Sequence, residues 1–304
     1  MKTTHTINDV EQFLANIKSD AAPGSVQQLT EGHTSQVFSY ETLSGGKRVL
    51  RLRESKKDLQ ADQYAFQNFS QNLPIPAVIG IGMFDNTTHY AITPLIEGQT
   101  LNTLSQDSFN VVSKDVKKMI AKTFKTDISS TTGYGDPDFE SGNASSLTWK
   151  DSLKSELATL NVEKLRQSAA NIGLPEDSVD ALVQQFNNYL PYVSEHRRLL
   201  HGDPGGDNVI IRNDTVVALL DWEQMAYGDW LRDFSRFEYW NMNDYGDAKV
   251  FAERYGLEAE NIPERKAVYW AINALRGIEF ADRDKSEKVA IWLRKNLDRI
   301  VTAA

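Results

Sequence analysis

The chain has no cysteine among its 304 residues. That excludes disulfide staples, thiolate nucleophiles and thiolate metal ligands. No apolar run is long enough to span a bilayer, and the opening MKTTHTINDVEQF is polar, with no apolar signal core. No tandem repeat or low-complexity tract is present. Basic residues are in deficit, 33 against 42 acidic, for a net charge of −9. A general nucleic-acid binder needs the reverse balance. Hydrophobic content of 40% and charged content of 25% fit a soluble globular protein. A cytoplasmic monomer with no membrane or nucleic-acid partner is expected, built as one large domain or two lobes.

What is present is concentrated in one stretch, His201 to Asp229, reading HGDPGGDNVIIRNDTVVALLDWEQMAYGD. Asp203 and Asn208 are five apart, the spacing of the kinase catalytic loop H-R-D-x-x-x-x-N, where the Asp accepts a proton and the Asn holds a metal. His201 precedes Asp203 by two, as in that motif. The apolar runs Val209–Ile211 and Val216–Leu220 flank Asn213-Asp214, a hairpin signal. Such a hairpin brings Asp221 back beside Asn208, so two hard oxygen ligands converge. Mg²⁺ prefers oxygen and keeps substrate phosphates in its shell, so one Asn and one Asp suffice as the protein's share.

This stretch resembles the aminoglycoside phosphotransferase family, whose members share a kinase-like fold, and within it most resembles the hygromycin B kinases. HGDPGGDN stands where the family has a His-Gly-Asp loop ending in Asn. LLDWEQMAYGD stands where it has a strand, Asp-Trp-Glu and then Gly-Asp. The resemblance implies an α+β bilobal fold: a small antiparallel-sheet lobe with one helix over residues 1–97, which binds nucleotide, and a larger helical lobe over 98–304, which carries the catalytic loop and substrate site.

The first half follows that order. A helix is expected over Asn8–Ile17, then strands at Val26–Leu29, Gln36–Glu41 and Lys47–Arg53. The loop Glu31-Gly32-His33-Thr34-Ser35 sits between the first two strands. Gly32, Thr34 and Ser35 are candidates to cover phosphates with backbone N–H groups; an ordinary β-turn has the same composition. Arg51 occupies the position of the kinase V-A-I-K lysine. Its guanidinium forks onto phosphate, although a surface strand also carries arginines. Asp62, on a helix over Lys57–Phe69, stands where the family has its helix acid. A shorter acid with a longer base still closes the pair. A second hairpin, Val78–Phe84 with Tyr90–Leu95, completes five strands. The following Thr93-Pro94-Leu95-Ile96-Glu97-Gly98 resembles the family's hinge, with Thr93 and Leu95 as the base-contacting candidates.

Beyond Gly98 the pattern is mainly helical: Val111–Phe124, a start at Thr148-Trp149, Val179–Tyr192, Trp230–Asn241, Asp247–Tyr255, Arg265–Ala281 and Lys285–Val301. Ser129–Ser146, rich in small polar residues, reads as a loop. Residues 98–304 hold 25 basic and 32 acidic residues, an excess that suits a cationic acceptor. Asp207, Glu223, Glu238, Asp244, Glu279 and Asp282 are the acceptor candidates, with Trp240 as an apolar wall. Asp229 and Asp233 are read as braces of the catalytic loop or caps of the next helix. Gly205 and Gly206 suggest a loose loop.

The resemblance implies γ-phosphate transfer from ATP or GTP, with Mg²⁺, to a hydroxyl of a small cationic molecule. Asp203 would be the catalytic base, and Asn208 and Asp221 the metal ligands. An aminoglycoside leads. A metabolic acceptor (choline, homoserine, methylthioribose or an amino sugar) and a non-catalytic nucleotide-binding regulator remain alternatives.

Overall fold

The computed structural model describes residues 4–29, 35–240 and 246–303. Gly32, Thr34 and Asp244 lie outside them. In chain order the first elements are α1 (Ile7–Asn16), β1 (Gln27–Gln28), β2 (Gln36–Glu41), β3 (Lys47–Arg53), α2 (Lys56–Phe69), β4 (Gly80–Met83), β5 (His89–Pro94), β6 (Gln99–Thr100) and α3 (Gln106–Phe124). Then come β7 (Tyr134–Pro137), β8 (Ala144–Ser146), α4 (Trp149–Thr159), α5 (Val162–Asn171), α6 (Ser178–Tyr189), β9 (Arg198–Leu200), β10 (Val209–Arg212) and β11 (Thr215–Leu219). The chain finishes with β12 (Ala226–Gly228), α7 (Leu231–Tyr239), α8 (Ala248–Tyr255), α9 (Ile262–Arg283) and α10 (Glu287–Val301). Two compact units result: residues 1–122 with 203–225, and residues 123–202 with 226–304.

The first unit carries a five-stranded antiparallel sheet in the order β1-β2-β3-β5-β4. Side chains alternate across a strand. Phe38, Tyr40, Leu50, Leu52 and Ile92 therefore share one face, buried against Val10 and Leu14 of α1. Thr6 starts α1 with a capping box: its hydroxyl accepts from the Asp9 N–H at 3.2 Å, and the Asp9 carboxylate accepts from the Thr6 N–H at 2.7 Å. The opposite face presents Val37, Val49, Arg51, Ala91 and Thr93 to a cavity. The five strands and interposed helix match the sequence reading, with β1 shortened to two residues.

In the same unit β10 and β11 form the expected hairpin. Asn213 and Asp214 have φ of 51° and 58°, the left-handed pair that a two-residue type I′ turn requires. β6 adds to β10, giving the order β11-β10-β6. Asp115 of α3 accepts the Val216 N–H at 2.9 Å, tying helix to hairpin.

The second unit is built on α9. Val268, Tyr269, Trp270, Ile272, Leu275 and Ile278 are all buried, so this helix is apolar on several sides, as a central core helix is. A four-stranded sheet, β8-β7-β12-β9, lies in this unit. β7 and β8 fall inside the stretch read as loop; four and three residues of mixed polarity carry no legible alternation. Trp149 opens α4, fully buried, and its Nε1–H donates to Tyr269 Oη at 3.0 Å. Tyr269 Oη in turn donates to Asp229 at 2.6 Å. Gly228 abuts the Trp149 ring so closely that a Cβ there would lie 2.6 Å from it.

Candidate active site

The hairpin assembles the polar centre. The Leu220 N–H donates to the Asn208 carbonyl at 2.8 Å, which seats Asp221 next to Asn208. The Asn208 side-chain amide donates to the Asp203 carbonyl at 2.8 Å. With its N–H group committed there, the amide oxygen of Asn208 is left as an acceptor for a cation. Asp221 has φ of 63°. Asp tolerates this left-handed conformation better than most residues, and such backbone persists only where its surroundings hold it. Asn208 and Asp221 therefore offer the neutral and anionic oxygens that suit Mg²⁺.

The Gly205-Gly206 loop is close-packed at Gly206, where the sequence suggested a loose one. A Cβ on Gly206 would sit 3.0 Å from both Cβ and N of Asn102, a contact that a larger residue could make only if Asn102 or the loop gave way. Asn102 also donates its side-chain amide to Asp207, placing this candidate acid against the segment after β6.

Arg51 reaches the same centre from β3. It pairs with Asp62 of α2 and, at 3.3 Å, with Asp221. The pairing expected from sequence is thus present, with Asp221 as a second partner. Burial acts to lower the Arg51 pKa, but the Asp62 and Asp221 carboxylates outweigh it and the net shift is upward, so the guanidinium stays charged. Burial pushes the Asp62 carboxyl up, against the pull of Arg51. Arg53, two residues on and almost fully buried, pairs with Glu223 and, at 3.3 Å, with Asp58. Glu223, read from sequence as an acceptor residue, is therefore engaged by a buried arginine.

Arg51, Asp62, Asn208 and Asp221 border a cavity of about 390 Å³, lined also by Val49, Thr93 and Ile96. Its size lies in the usual range of small-molecule sites. Thr93 is among its lining residues. Leu95 lines it too, but its N–H donates to the Lys47 carbonyl at 3.0 Å and is occupied in the sheet. Antiparallel ladders alternate, so the Pro94 carbonyl turns away from β3. Ser35 is buried at the start of β2's approach.

The remaining acid candidates are in the second unit. Glu238 binds Lys266 at 3.0 Å. Asp282 accepts from Ser168 at 2.9 Å and from Asn171 and Lys285 at 3.1 Å, a set that closes the end of α5. Trp240 is exposed and tilts against Trp292, ring centroids 4.6 Å apart. Asp229 accepts the Leu231 N–H at 3.1 Å, at the first residue of α7, and pairs with Arg265. Asp233 accepts the N–H of His201 at 2.7 Å and of Gly202 at 3.1 Å, bracing the residues that lead into Asp203.

The sequence profile of the phosphotransferase enzyme family, APH, matches residues 25–269. The chain belongs to this family. Membership makes it a phosphotransferase. A hygromycin-B 4-O-kinase of Escherichia coli is 29% identical over 240 residues, covering 77% of this chain and 67% of its own. A thermostable mutant of the aminoglycoside phosphotransferase APH(4)-Ia, solved as a ternary complex with AMP-PNP and hygromycin B, superposes with a TM-score of 0.81 at 25% identity, over 97% of this chain and 98% of that one. The GDP and kanamycin complex of APH(2")-IIIa shares the fold at a TM-score of 0.70 and 14% identity, over 97% and 98% of the two chains. Among the described residues, no helix of this family member is long and apolar enough to cross a membrane.

Proposed function

We propose that this phosphotransferase moves the γ-phosphate of ATP or GTP to a hydroxyl of an aminoglycoside, with a hygromycin B-like acceptor first in line. The observation that carries the reading is the convergence of Asn208, Asp221 and Arg51 on one cavity wall, with Asp203 bonded through its carbonyl to Asn208. The names of the similar proteins favour an aminoglycoside over a metabolic acceptor.

The residues divide the work as phosphoryl transfer requires, chiefly by positioning and charge. The base would lie against Thr93, the Pro94 carbonyl and the Ile96 N–H. Arg51, held by Asp62, would grip the phosphates, and Gly32, Thr34 and Ser35 would cover them. Asn208 and Asp221 would hold Mg²⁺, which supplies charge neutralisation on the phosphates. Asp203 would orient the acceptor hydroxyl. As the acceptor oxygen bonds to the γ-phosphorus and the bond to the β–γ bridging oxygen breaks, Asp203 takes the hydroxyl proton. Asp207, Glu238 and Trp240 are carried as acceptor contacts. The division into a nucleotide lobe at 1–97 and a substrate lobe at 98–304 is kept as a functional one, in a monomer working in the cytoplasm.

The deciding assay is nucleotide consumption by purified protein with Mg²⁺. ATP and GTP are run in parallel against hygromycin B, other aminoglycosides, choline, homoserine and methylthioribose. Acceptor-dependent turnover with an aminoglycoside, and product heavier by one phosphoryl group, is the expected result. Turnover with a metabolite alone would overturn the acceptor class. Nucleotide binding with no turnover on any acceptor would favour a regulator.

A further inference from the structure

Two arginines leave the same face of β3. Arg51 and Arg53 are two apart on a strand, so their Cα atoms are separated by roughly 6.8 Å. Asp58 and Asp62 are four apart on α2, a rise of roughly 6 Å on the same helix face. Asp221 and Glu223 are two apart on the segment after β11. The three spacings are commensurate, and two parallel bridges form. One is Asp62–Arg51–Asp221; the other is Asp58–Arg53–Glu223. Between them, the Trp222 N–H donates to Asp62 at 2.9 Å. Trp222 itself is fully buried, and its Nε1–H donates to the Leu219 carbonyl at 3.1 Å.

Every residue of the Asp221-Trp222-Glu223 segment is therefore anchored to β3 or α2. Asp221 needs such anchoring because its backbone is left-handed, with φ of 63°. Upstream it is fixed by the Leu220 bond to Asn208. Downstream, beyond the Trp222 bond, its fixing point is Glu223. Arg53 is about 3% exposed, and a buried guanidinium is costly unless its partners have good geometry. Binding a cationic acceptor with Glu223 would draw a carboxylate partner away from the buried Arg53.

We propose that Arg53 and Glu223 are positioning residues that set the Asp221 carboxylate for Mg²⁺, and that Glu223 does not bind the acceptor. This rests on the phosphotransferase reading of the site. The bridge acts as a support behind a metal ligand, and loss of such support costs about tenfold or more in metal affinity.

The test is a double-mutant cycle of Glu223→Gln and Arg53→Lys. Two quantities are read: the Mg²⁺ concentration for half-maximal nucleotide binding by calorimetry, and the acceptor KM. Mn²⁺ binding to the nucleotide complex, followed by electron paramagnetic resonance, gives an independent view of the metal. Each single variant should raise the metal requirement by about tenfold and leave the acceptor KM within about twofold. The double variant should be no worse than the poorer single one, because the two residues act through one bridge. Additive losses, or a metal requirement unmoved while the acceptor KM rises, would overturn the proposal; the second result would return Glu223 to the acceptor site. Thermal unfolding without metal checks that each variant folds. Should Arg53→Lys fail to fold, Glu223→Gln, which keeps shape and one hydrogen bond, carries the test alone. Failure of the wild-type protein to phosphorylate any acceptor would strike the functional reading, whereas the metal dependence of nucleotide binding still reports on the bridge.

Discussion

The Asn208 side-chain amide donates to the backbone carbonyl of Asp203 across 2.8 Å, so the proposed metal ligand and the proposed general base share a single bond. Any shift of the loop moves both. Chemistry and nucleotide binding should nonetheless separate by substitution, because Asp203 engages Asn208 through its backbone and would meet the acceptor through its carboxylate. Asp203→Ala is expected to lower kcat by roughly 10²- to 10⁴-fold, the span of general-base catalysis. Nucleotide affinity should stay near wild type. Isothermal calorimetry beside steady-state kinetics checks both halves, and turnover at the normal rate would remove Asp203 from the mechanism.

Gly205 and Gly206 should respond differently to the same added methyl group. At Gly205 a Cβ meets Asp203 Oδ1 at 3.5 Å, an ordinary contact. At Gly206 it meets the Asn102 backbone at 3.0 Å. Gly206→Ala must push the loop, and small misplacements of catalytic groups are expensive. It is expected to cost roughly ten- to a hundredfold in kcat/KM and about 1–3 kcal/mol in stability. Gly205→Ala should stay close to wild type. Equal effects at the two positions would mean that the Asn102 contact does not govern the loop.

Asp233 gives a pH prediction. Burial pushes its carboxyl up to about 6, against the opposing pull of the Gly202 and His201 N–H groups. A carboxyl raised on folding favours the native state when protonated. That contribution is full below the ordinary aspartate value of 3.8 and is lost as pH rises through about 6. Catalysis should slope the other way, because the carboxylate is what holds both N–H groups before Asp203. kcat should fall as pH drops through about 6, and Asp233→Asn should flatten that limb at a lower plateau. Urea unfolding across the same pH range should lose its Asp233-dependent slope. An unchanged acid limb in the variant would assign it to another group.

Arg265 and Asp229 are almost fully buried, and Asp229 also accepts from Tyr269 and from the start of α7. Removing one charge leaves the other stranded. Arg265→Ala is therefore expected to destabilise by about 3–5 kcal/mol, well above a surface pair. Equilibrium denaturation measures it; a loss within the surface range would show that water replaces the guanidinium.

The sequence was most legible where spacing is local. The five-residue step from Asp203 to Asn208, the hairpin turn at Asn213-Asp214 and the succession of strands and helix in the first unit could all be read along the chain. The Arg51–Asp62 pair was reachable because it spans 11 residues and a strand-to-helix order already known from its family. The Arg53–Glu223 bridge spans 170 residues and leaves no periodic trace, so Glu223 looked like a free acid suited to an ammonium group. The engagement of the Leu95 N–H by the Lys47 carbonyl was hidden for a related reason. Which edge of a strand a carbonyl faces depends on ladder register, and register is set by the partner strand. α5 is similarly quiet, with Leu165 and Ala169 as its main buried apolar residues. β7, β8, β9 and β12 are too short for alternation to show.

Gly228 and Trp149 divide one fixed volume between them. Position 228 cannot gain a side chain while the indole is in place, yet position 149 is free to shrink first. The order of mutational steps is thereby constrained: descent from this sequence passes through a cavity at 149 before anything larger can stand at 228. The two positions should exchange bulk as a unit, although 79 residues separate them in the chain, and the hydroxyl of Tyr269, which receives the indole N–H, would have to find a new donor at the first step.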